Sequence, residues 1–349
     1  MTRIAIFFVT VFFSAALSAA ENVFYVLHYK NNPAESQKIV DTVSAHHDAI
    51  QVLISQAFLI KKDGTVSGYY DQSLFNYAKK NNIKFLAMVT NAVFDNELSH
   101  KFFTNKKAQE KALKSLIDIC KQNHFDGVQL DIEMVWEKDK EALTHFYQEA
   151  FDLLHKNGFI VSIAIPPVIS DGPFNTAYQK RLYKNAGGAY DLKKIGNAAD
   201  FVTLMAYDQH FGRVTPGAVA GYSWMEASIK HTLKLIPENK ISLGIPTYSR
   251  FWYTGKDSTG QIRIQNDTLS YATAMKIINK NNAPLFWDKY AKVPYSFYEH
   301  NGLNEFMFIE DAASIQAKLN LVSKYHLRGA SFFRIGTEDP AIWKIITNK

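Results

Sequence analysis

The chain has 349 residues, of which 47% are apolar and 21% charged, and 39 lysines and arginines against 33 aspartates and glutamates give a net charge of +6. This composition excludes a disordered chain, a collagen-like repeat and a small disulfide scaffold, and the length permits one large α/β barrel or two ordinary domains. The single cysteine, Cys120, excludes an internal disulfide and a cysteine-based zinc site. Because the positive excess is small and no dense lysine and arginine stripe is present, we expect no nucleic-acid partner.

The first twenty residues have the pattern of an export signal. Arg3 precedes the apolar run Ile4–Leu17, and the small residues 18–20 suit cleavage before Glu21. A membrane-spanning helix needs about 20 apolar residues, so this run is short for one, and a retained N-terminal anchor is the alternative. We therefore expect residues 1–20 to be removed and the mature chain, 21–349, to be secreted or held in the periplasm or cell envelope.

Eight short runs rich in β-branched or aromatic residues follow, and helix-like stretches separate them. Several runs are almost continuously apolar, as expected of strands that are covered on both faces. This alternation predicts an α/β fold, a closed (β/α)8 TIM barrel; a doubly wound open sheet is the alternative, but no Gly-x-Gly-x-x-Gly turn follows any run. The predicted strands are Val23–Tyr29, Gln51–Ser55, Lys84–Thr90, Gly127–Met134, Phe159–Ile165, Phe201–Tyr207, Ile241–Thr247 and Ala330–Ile335, and the clearest helices are Lys107–Gln122, Lys138–Lys156, Trp224–Leu235 and Ala312–Tyr325.

One interval is too long to be a simple loop. About sixty residues separate the seventh predicted strand from the helix at Ala312, whereas strand–helix loops usually have a few. We predict that residues 253–311 form a small α+β insertion subdomain over the carboxyl face of the barrel. Its predicted elements are a helix at Tyr271–Asn279, strands near Phe286, at Ser296–Glu299 and at Glu305–Phe308, and a hairpin turn at Asn301-Gly302.

The fourth predicted strand carries the candidate chemistry, in the segment Asp126-Gly127-Val128-Gln129-Leu130-Asp131-Ile132-Glu133. Since side chains alternate along a strand, Gln129, Asp131 and Glu133 share one face, and we expect that face to point into the barrel. Buried polar groups are costly unless they are hydrogen-bonded or used, and barrel active sites lie at the carboxyl ends of the strands. The alternative is a solvent-facing edge strand with polar alternation.

The spacing of the two acids restricts the mechanism. Asp131 and Glu133 are two residues apart, about 6.6 Å along a strand, so they lie on the same side of any bound sugar. Glycosidases with two catalytic carboxylates hold them on opposite sides of the scissile bond. Substrate-assisted glycosidases are the known exception to this rule, and in such an enzyme one acid could donate a proton while the other positions a nucleophile of the substrate, such as a 2-acetamido group.

The segment from Asp126 to Glu133 resembles the Asp-Gly-x-Asp-x-Asp-x-Glu signature of glycoside hydrolase family 18, which includes chitinases. Three further elements, in the same order as in the family, extend the similarity over about residues 23–345. The element nearest the C-terminus is similar to the last strand in the spore-germination and cortex-lytic branch of that family. The interval after the seventh strand also resembles the family's inserted subdomain. The further elements are Met205-Ala206-Tyr207-Asp208, the seventh-strand segment Leu243–Arg250, and Gly329–Gly336 followed by Glu338-Asp339-Pro340.

The resemblance implies a role for each matching residue. Glu133 is the expected general acid and then base, Asp131 orients the substrate acetamido group, Tyr207 hydrogen-bonds that group and Asp208 lines the same subsite. For Trp136, just past the acids, core packing is an equally good explanation. For Arg250, at the catalytic face, a structural ion pair is an equally good explanation. The residues expected to bind substrate are Gln129, Asp208, Trp136, Tyr248, Arg250 and Phe333.

Two positions depart from the family pattern. Gln129 stands where the family has its middle aspartate, and an amide cannot share a proton with Asp131. Phe333 stands where a tryptophan usually floors the reactive subsite, and phenylalanine donates no hydrogen bond. Because of these two departures, a catalytically weak or inactive glycan-binding protein on the same barrel is the alternative to an active enzyme.

The predicted function is hydrolysis, with retention, of β-1,4 bonds next to N-acetylated amino sugars in a peptidoglycan-like or chitin-like glycan. A barrel enzyme that uses Asp131 and Glu133 on a metal is a further alternative. We expect a monomer whose partner is an N-acetylated polysaccharide or oligosaccharide, without a cofactor or metal and without membrane contact once the signal is removed.

Overall fold

The computed structural model describes residues 20–27, 31–91, 94–212 and 214–347. The predicted export signal therefore lies outside the described residues except for Ala20, and so does the end of the first predicted strand. Within the described part of the chain, no helix combines the length and the apolar character needed to span a membrane.

The described residues form fourteen strands in two sheets. In the first sheet, eight parallel strands close on themselves, because the first strand pairs with both the second strand and the last one. A short antiparallel strand extends this sheet beside the second strand. The strands are β1 (Glu21–Val26), β2 (Val52–Ile60), β3 (Val66–Gly68), β4 (Lys84–Asn91), β5 (Gly127–Asp131), β6 (Ile160–Ile165), β7 (Phe201–Leu204), β8 (Ile241–Pro246), β9 (Ser249–Lys256), β10 (Ile262–Leu269), β11 (Leu285–Asp288), β12 (Val293–His300), β13 (Leu303–Phe308) and β14 (Gly329–Phe333).

Most helices on the outside of the barrel bury one apolar face; α6 (Ala177–Asn185) has no buried residue. The fourth helix shows the pattern, since Ala108, Ala112, Leu116 and Cys120 recur at a spacing of four residues and are all buried. Its first turn is capped by the side chain of Asn105, which accepts a hydrogen bond from the Ala108 amide. The helices are α1 (Pro33–Ala45), α2 (Gln72–Lys80), α3 (Asn96–Phe103), α4 (Lys106–Asn123), α5 (Lys140–Lys156), α6 (Ala177–Asn185), α7 (Leu192–Ala198), α8 (Tyr222–Thr232), α9 (Tyr271–Lys280), α10 (Ala312–Lys324) and α11 (Ile342–Thr347).

The barrel thus confirms the predicted (β/α)8 fold, although several strand ends differ from the prediction. The fourth barrel strand, β5, ends at Asp131 rather than at Met134, and Met134 has a positive φ of 51° that takes the chain out of the extended conformation. The second strand is longer than predicted and continues to Ile60 beyond an irregularity in its pairing between Gln56 and Phe58. The sixth barrel strand, β7, ends at Leu204 instead of Tyr207.

The second sheet follows β8 and has the strand order β10-β9-β13-β12-β11. It begins at Ser249, four residues before the predicted insertion boundary, and includes the long pair β9–β10 that the sequence analysis did not identify. The hairpin turn at Asn301-Gly302 is present, with φ values of 53° and 75° that suit a two-residue turn.

A buried ion pair links this subdomain to the barrel. The Lys318 ammonium of α10 contacts the Glu310 carboxylate just after β13, and both side chains are 1% exposed. The hydroxyl of Ser314 also donates to Glu310, at 2.7 Å. Because Ser249 accepts a hydrogen bond from the Glu310 amide at 3.2 Å, the same junction fixes the start of β9.

Candidate active site

The two faces of β5 have different surroundings, as its alternating sequence predicts. Val128, Leu130 and Ile132 belong to the apolar core between the barrel and its helices. Gln129 and Asp131 have the opposite orientation and are 0% and 4% exposed. Two polar side chains are therefore buried on the inner face of a barrel strand, next to its carboxyl end.

A chain of polar side chains crosses the barrel beneath the acids. Tyr25 donates its hydroxyl hydrogen bond to Oε1 of Gln129 at 2.6 Å, and Nε2 of Gln129 donates to Thr203 Oγ1 at 3.2 Å. The Thr203 hydroxyl continues to Ser331 at 3.2 Å, and Ser331 to Ser242 at 2.6 Å. Both ends of the Gln129 amide are engaged, so its orientation is fixed by Tyr25 of β1 and Thr203 of β7.

We expect the substitution Gln129→Met to lower the free energy of unfolding by about 1–3 kcal/mol, because Tyr25 and Thr203 would be left buried without their amide partner. Thermal and denaturant unfolding measure this loss. Gln37→Met is the matched control, since Gln37 lies exposed on α1. Equal stability of the Gln129 variant and the wild type would show that the amide is not held in this way.

Asp131 is the more deeply buried of the two acids. Its Oδ1 atom is buried and makes no hydrogen bond to any residue within the described ranges. Burial raises the pKa of Asp131 well above its usual value, and the negative charge of Glu133 raises it further. One carboxylate oxygen of Asp131 is therefore buried near the barrel mouth without a hydrogen-bond partner among the described residues.

Glu133 lies beyond the end of β5, and the side chain of Asn91 holds its backbone. The Glu133 amide donates to Asn91 Oδ1 at 2.9 Å, while Asn91 Nδ2 donates to the Glu133 carbonyl at 2.7 Å. The same Nδ2 atom donates to the hydroxyl of Ser99 on α3, at 2.8 Å. Asn91 is the last residue of β4, so its amide replaces the ladder hydrogen bonds that the neighbouring strand no longer provides.

The electrostatic environment of Glu133 suits a proton donor. Burial raises the pKa of Glu133 to about 7, and the negative charge of Asp208 contributes to the same rise. A carboxyl group with a pKa near neutrality holds its proton where an unperturbed glutamate would have lost it. This is the property that acid-assisted departure of an alcohol requires.

Aromatic rings line the mouth of the barrel above the acids. Tyr207 and Phe333 have near-parallel planes with ring centroids 5.4 Å apart, and Tyr248 meets both of them edge-on at 6.5 and 6.2 Å. Tyr25 contacts Phe333 from below, at 5.5 Å. Burial raises the pKa of the Tyr207 hydroxyl well above its usual value, so this hydroxyl remains a neutral hydrogen-bond donor.

Asp208 and Arg250 form an ion pair at the rim, which was one of the two interpretations left open for Arg250. The Asp208 carboxylate accepts hydrogen bonds from the Arg250 guanidinium and from the Tyr248 hydroxyl. Arg250 is 1% exposed and also donates to Thr268, at 2.9 Å. Arg250 lies in β9, not at the end of the barrel strand, and it joins the insertion subdomain to the catalytic face.

The structure places the remaining candidate, Trp136, against two neighbours. Its ring lies 5.7 Å from that of His100, and the Lys138 ammonium sits 4.1 Å from its centroid. A role of Trp136 in sugar stacking stays a prediction. In the part of the chain that the structure describes, no group of three or more histidine, cysteine, aspartate or glutamate side chains could hold a metal ion.

The sequence analysis missed four polar residues that shape the site. Tyr25 and Thr203 orient Gln129, and Asn91 holds Glu133. Tyr190 also donates a hydrogen bond to the carbonyl of Ile132, between the two acids. The only signal available in the sequence was the position of Tyr25, Asn91 and Thr203 in apolar strands, where an isolated polar residue needs a partner.

A closed barrel whose fourth strand and its extension bring two acids, one buried and one half-buried, to an aromatic-lined mouth defines the class of the protein as a glycoside hydrolase. The chain belongs to glycosyl hydrolases family 18, whose model matches residues 22–338.

Similar proteins include a bacterial glycosylase and bacterial lytic enzymes. The chain is 29% identical over 314 residues to the glycosylase YvbX of Bacillus subtilis, an alignment that covers 88% of this chain and 86% of YvbX. It is 28% identical over 301 residues to the cortical fragment-lytic enzyme of the same organism, covering 84% of this chain and 66% of that enzyme. The crystal structure of the Bacillus megaterium spore cortex-lytic enzyme SleL matches with a TM-score of 0.80 at 25% identity, covering 94% of this chain and 73% of SleL.

Proposed function

We propose that this protein hydrolyses β-1,4 bonds next to N-acetylated amino sugars, with retention of configuration and with the substrate's acetamido group as the nucleophile. The observation that carries the proposal is the pair formed by the buried Asp131 and the half-buried Glu133, two acids on one side of the barrel mouth whose pKa values are both raised. Since both acids come from one strand and its immediate extension, they approach a sugar from the same side.

In the first step, the protonated Glu133 donates its proton to the glycosidic oxygen. The acetamido carbonyl oxygen of the substrate bonds to the anomeric carbon as the bond to the leaving alcohol breaks. The Asp131 carboxylate accepts a hydrogen bond from the acetamido N–H, which orients that group and stabilises the positive charge it gains. Tyr207 donates its hydroxyl hydrogen bond to the acetamido oxygen.

In the second step, the Glu133 carboxylate takes a proton from a water molecule. That water adds to the anomeric carbon from the side the leaving alcohol occupied, and the acetamido group is released, so two inversions give net retention. Gln129 keeps one orientation throughout, because Tyr25 and Thr203 engage both ends of its amide. Asp131 therefore exchanges no proton with its neighbour below.

A peptidoglycan-like glycan is the substrate class we favour over chitin. The support is the likeness to the cortical fragment-lytic enzyme of Bacillus subtilis, which is 28% identical over 301 residues. Export of the chain belongs to the same proposal, and it rests on the apolar pattern of residues 4–17. The first barrel strand starts at Glu21, so that cleavage after Ala20 leaves β1 whole.

The test is turnover of purified peptidoglycan glycan strands and of chitin hexamer, with mass spectrometry of the products. We expect β-configured products in early nuclear magnetic resonance spectra, and no turnover of either glycan after chemical removal of its acetyl groups. De-acetylation is the matched control, because it removes the proposed nucleophile and leaves the sugar ring and the bond unchanged. Equal turnover of acetylated and de-acetylated glycans would contradict the substrate-assisted mechanism.

A further inference from the structure

A tryptophan, a lysine and a histidine form a cluster beside the acid pair that the proposed chemistry does not use. The Lys138 ammonium lies 4.1 Å from the centroid of the Trp136 ring, and the His100 ring lies 5.7 Å from the same ring. Lys138 is exposed and pairs with no carboxylate of the described residues, so its charge is free to meet a ligand. We call Trp136, Lys138 and His100 the rim cluster.

The rim cluster is held in place by Asp139, which is 5% exposed. The Asp139 carboxylate accepts a hydrogen bond from Nδ1 of His100 at 2.7 Å. The backbone amide of Asp139 donates to the Trp136 carbonyl at 2.9 Å, which closes the short turn Glu137–Asp139 and brings Lys138 back towards the ring. A cation over an exposed aromatic ring gains about 0.5–1 kcal/mol, so the ammonium has a preferred place there.

Two parts of the chain place the rim cluster next to Glu133. Trp136 follows Glu133 by three residues, a separation of at most about 11 Å in an extended chain. Ser99 precedes His100 on α3, and its hydroxyl accepts a hydrogen bond from the same Asn91 Nδ2 atom that bonds the Glu133 carbonyl. The cluster therefore lies beside the proposed proton donor, within reach of a side group on a bound glycan.

The surface beyond the rim cluster is positive. Helix α6 contacts the turn Glu137–Asp139 and buries none of its own residues. Residues 136–140 and 177–185 together hold five lysines and arginines against two acids, a local excess of three positive charges. Such an excess attracts an anionic polymer. The exposed cations of α6 are Lys180, Arg181 and Lys184.

A carboxylate carried by the glycan fits this surface. An ammonium binds a carboxylate through a charge-assisted hydrogen bond, whereas the uncharged sugars of chitin offer it no ionic partner. In peptidoglycan, every second sugar carries a lactyl or peptide side group that ends in carboxylates. Because the Lys138 ammonium lies over one face of the Trp136 ring, that face presents a charge rather than an open aromatic surface.

We infer that Lys138, held by Trp136, binds a carboxylate on the side groups of the glycan next to the cleaved bond, so that the enzyme prefers acidic peptidoglycan strands to a neutral glycan. This inference rests on the proposed function and names the part of the substrate that the acid pair does not contact. His100 and Asp139 are positioning residues, because they hold the ring and the turn on which the ammonium depends.

The experiment compares native peptidoglycan strands with strands whose carboxyl groups have been converted to methyl amides, which leaves the sugars and the scissile bond unchanged. We expect Lys138→Gln to lower kcat/KM on the native strands about threefold and Lys138→Glu about tenfold, both through a higher KM. Neither variant should change kcat/KM on the amidated strands, and Lys138→Arg should keep the wild-type preference for native strands. Lys80→Glu is the matched control, since it makes the same charge change at an exposed site on α2, at the opposite end of the barrel.

The outcomes separate this inference from the proposed function. An unchanged kcat/KM of Lys138→Glu on the native strands would overturn the role of Lys138, and so would an equal loss on the amidated strands, because the lysine would then act through the fold. A wild type that cleaves native and amidated strands equally well would also overturn it, while that turnover would leave the proposed chemistry intact. A wild type that cleaves neither kind of strand would overturn both.

Discussion

Replacing Glu133 with glutamine is expected to lower kcat/KM by about 100-fold to 10,000-fold, because the amide cannot donate a proton to the glycosidic oxygen. The isosteric change leaves the two hydrogen bonds between Asn91 and the residue 133 backbone in place, so the fold of the site should persist. Initial rates on peptidoglycan strands or chitin hexamer measure the effect. Glu137→Gln is the matched control, since Glu137 lies exposed four residues further on.

The pH dependence should identify the same group. A general acid with a pKa of about 7 is protonated below that pH, so kcat/KM of the wild type should fall as the pH rises through about 7. The fall should be absent from the residual activity of Glu133→Gln. A wild-type rate that stays level up to pH 9, or a Glu133→Gln variant as active as the wild type, would show that the proton comes from another group.

The raised pKa of Glu133 has a consequence for stability as well. The folded state binds this proton more tightly than the unfolded chain does, so its contribution to stability is present at low pH and is lost as the pH rises through about 7. Glu133→Gln removes the buried charge. We therefore expect the variant to unfold at a higher temperature than the wild type at pH 8–9, and differential scanning calorimetry measures that difference.

The barrel was predictable from the sequence because its strands are short apolar runs between amphipathic helices. The strand ends were not, because a polar and apolar alternation continues past the point where the backbone leaves the sheet. In β5 the pattern runs through Glu133, whereas the ladder stops at Asp131 and Met134 takes a positive φ. Backbone torsion and side-chain-to-backbone hydrogen bonds decide that end, and neither leaves a periodic signal.

The insertion subdomain was harder to predict, for a related reason. Strand β10 is rich in polar residues and largely exposed, so it lacks the apolar run by which the barrel strands were identified. Arg250 was assigned to the end of the seventh barrel strand, but the chain turns there into β9 and carries Arg250 with it. The ion pair with Asp208 depends on that turn, and a sequence pattern does not reveal it.

The site itself was predictable where a motif carried it, and incomplete where long-range contacts decide it. Asp131 and Glu133 follow from one continuous segment, and the structure buries Asp131 and half-buries Glu133. Tyr25 was read as part of an apolar strand, although its hydroxyl bonds Gln129 at a separation of 104 residues. Such pairings are set by the register of the closed barrel, which exists only once all the strands are assembled.

Asn91 provides a second strong test, because it holds the backbone of the proposed proton donor without being part of the acid pair. Asn91→Ala removes both hydrogen bonds to residue 133, at 2.9 and 2.7 Å, and frees the segment that follows β5. A displacement of about 1 Å in a catalytic group costs on the order of 100-fold in rate, so we expect a loss of that size in kcat with little change in KM. Single-turnover and steady-state kinetics on chitin hexamer separate the two constants.

Two further variants separate positioning from a general loss of stability. Asn91→Asp keeps an acceptor for the Glu133 amide but adds a negative charge, which should raise the pKa of Glu133 and move the fall in kcat/KM to higher pH. Ser99→Ala is the matched control, since it removes the Asn91 bond to α3 and the Ser99 bond to the Asp95 carbonyl but leaves both bonds to residue 133. Two results would contradict this role of Asn91: a wild-type kcat in Asn91→Ala, or an unchanged pH profile in Asn91→Asp. The barrel alone would then position Glu133, and the strand end at Asp131 would have no part in catalysis.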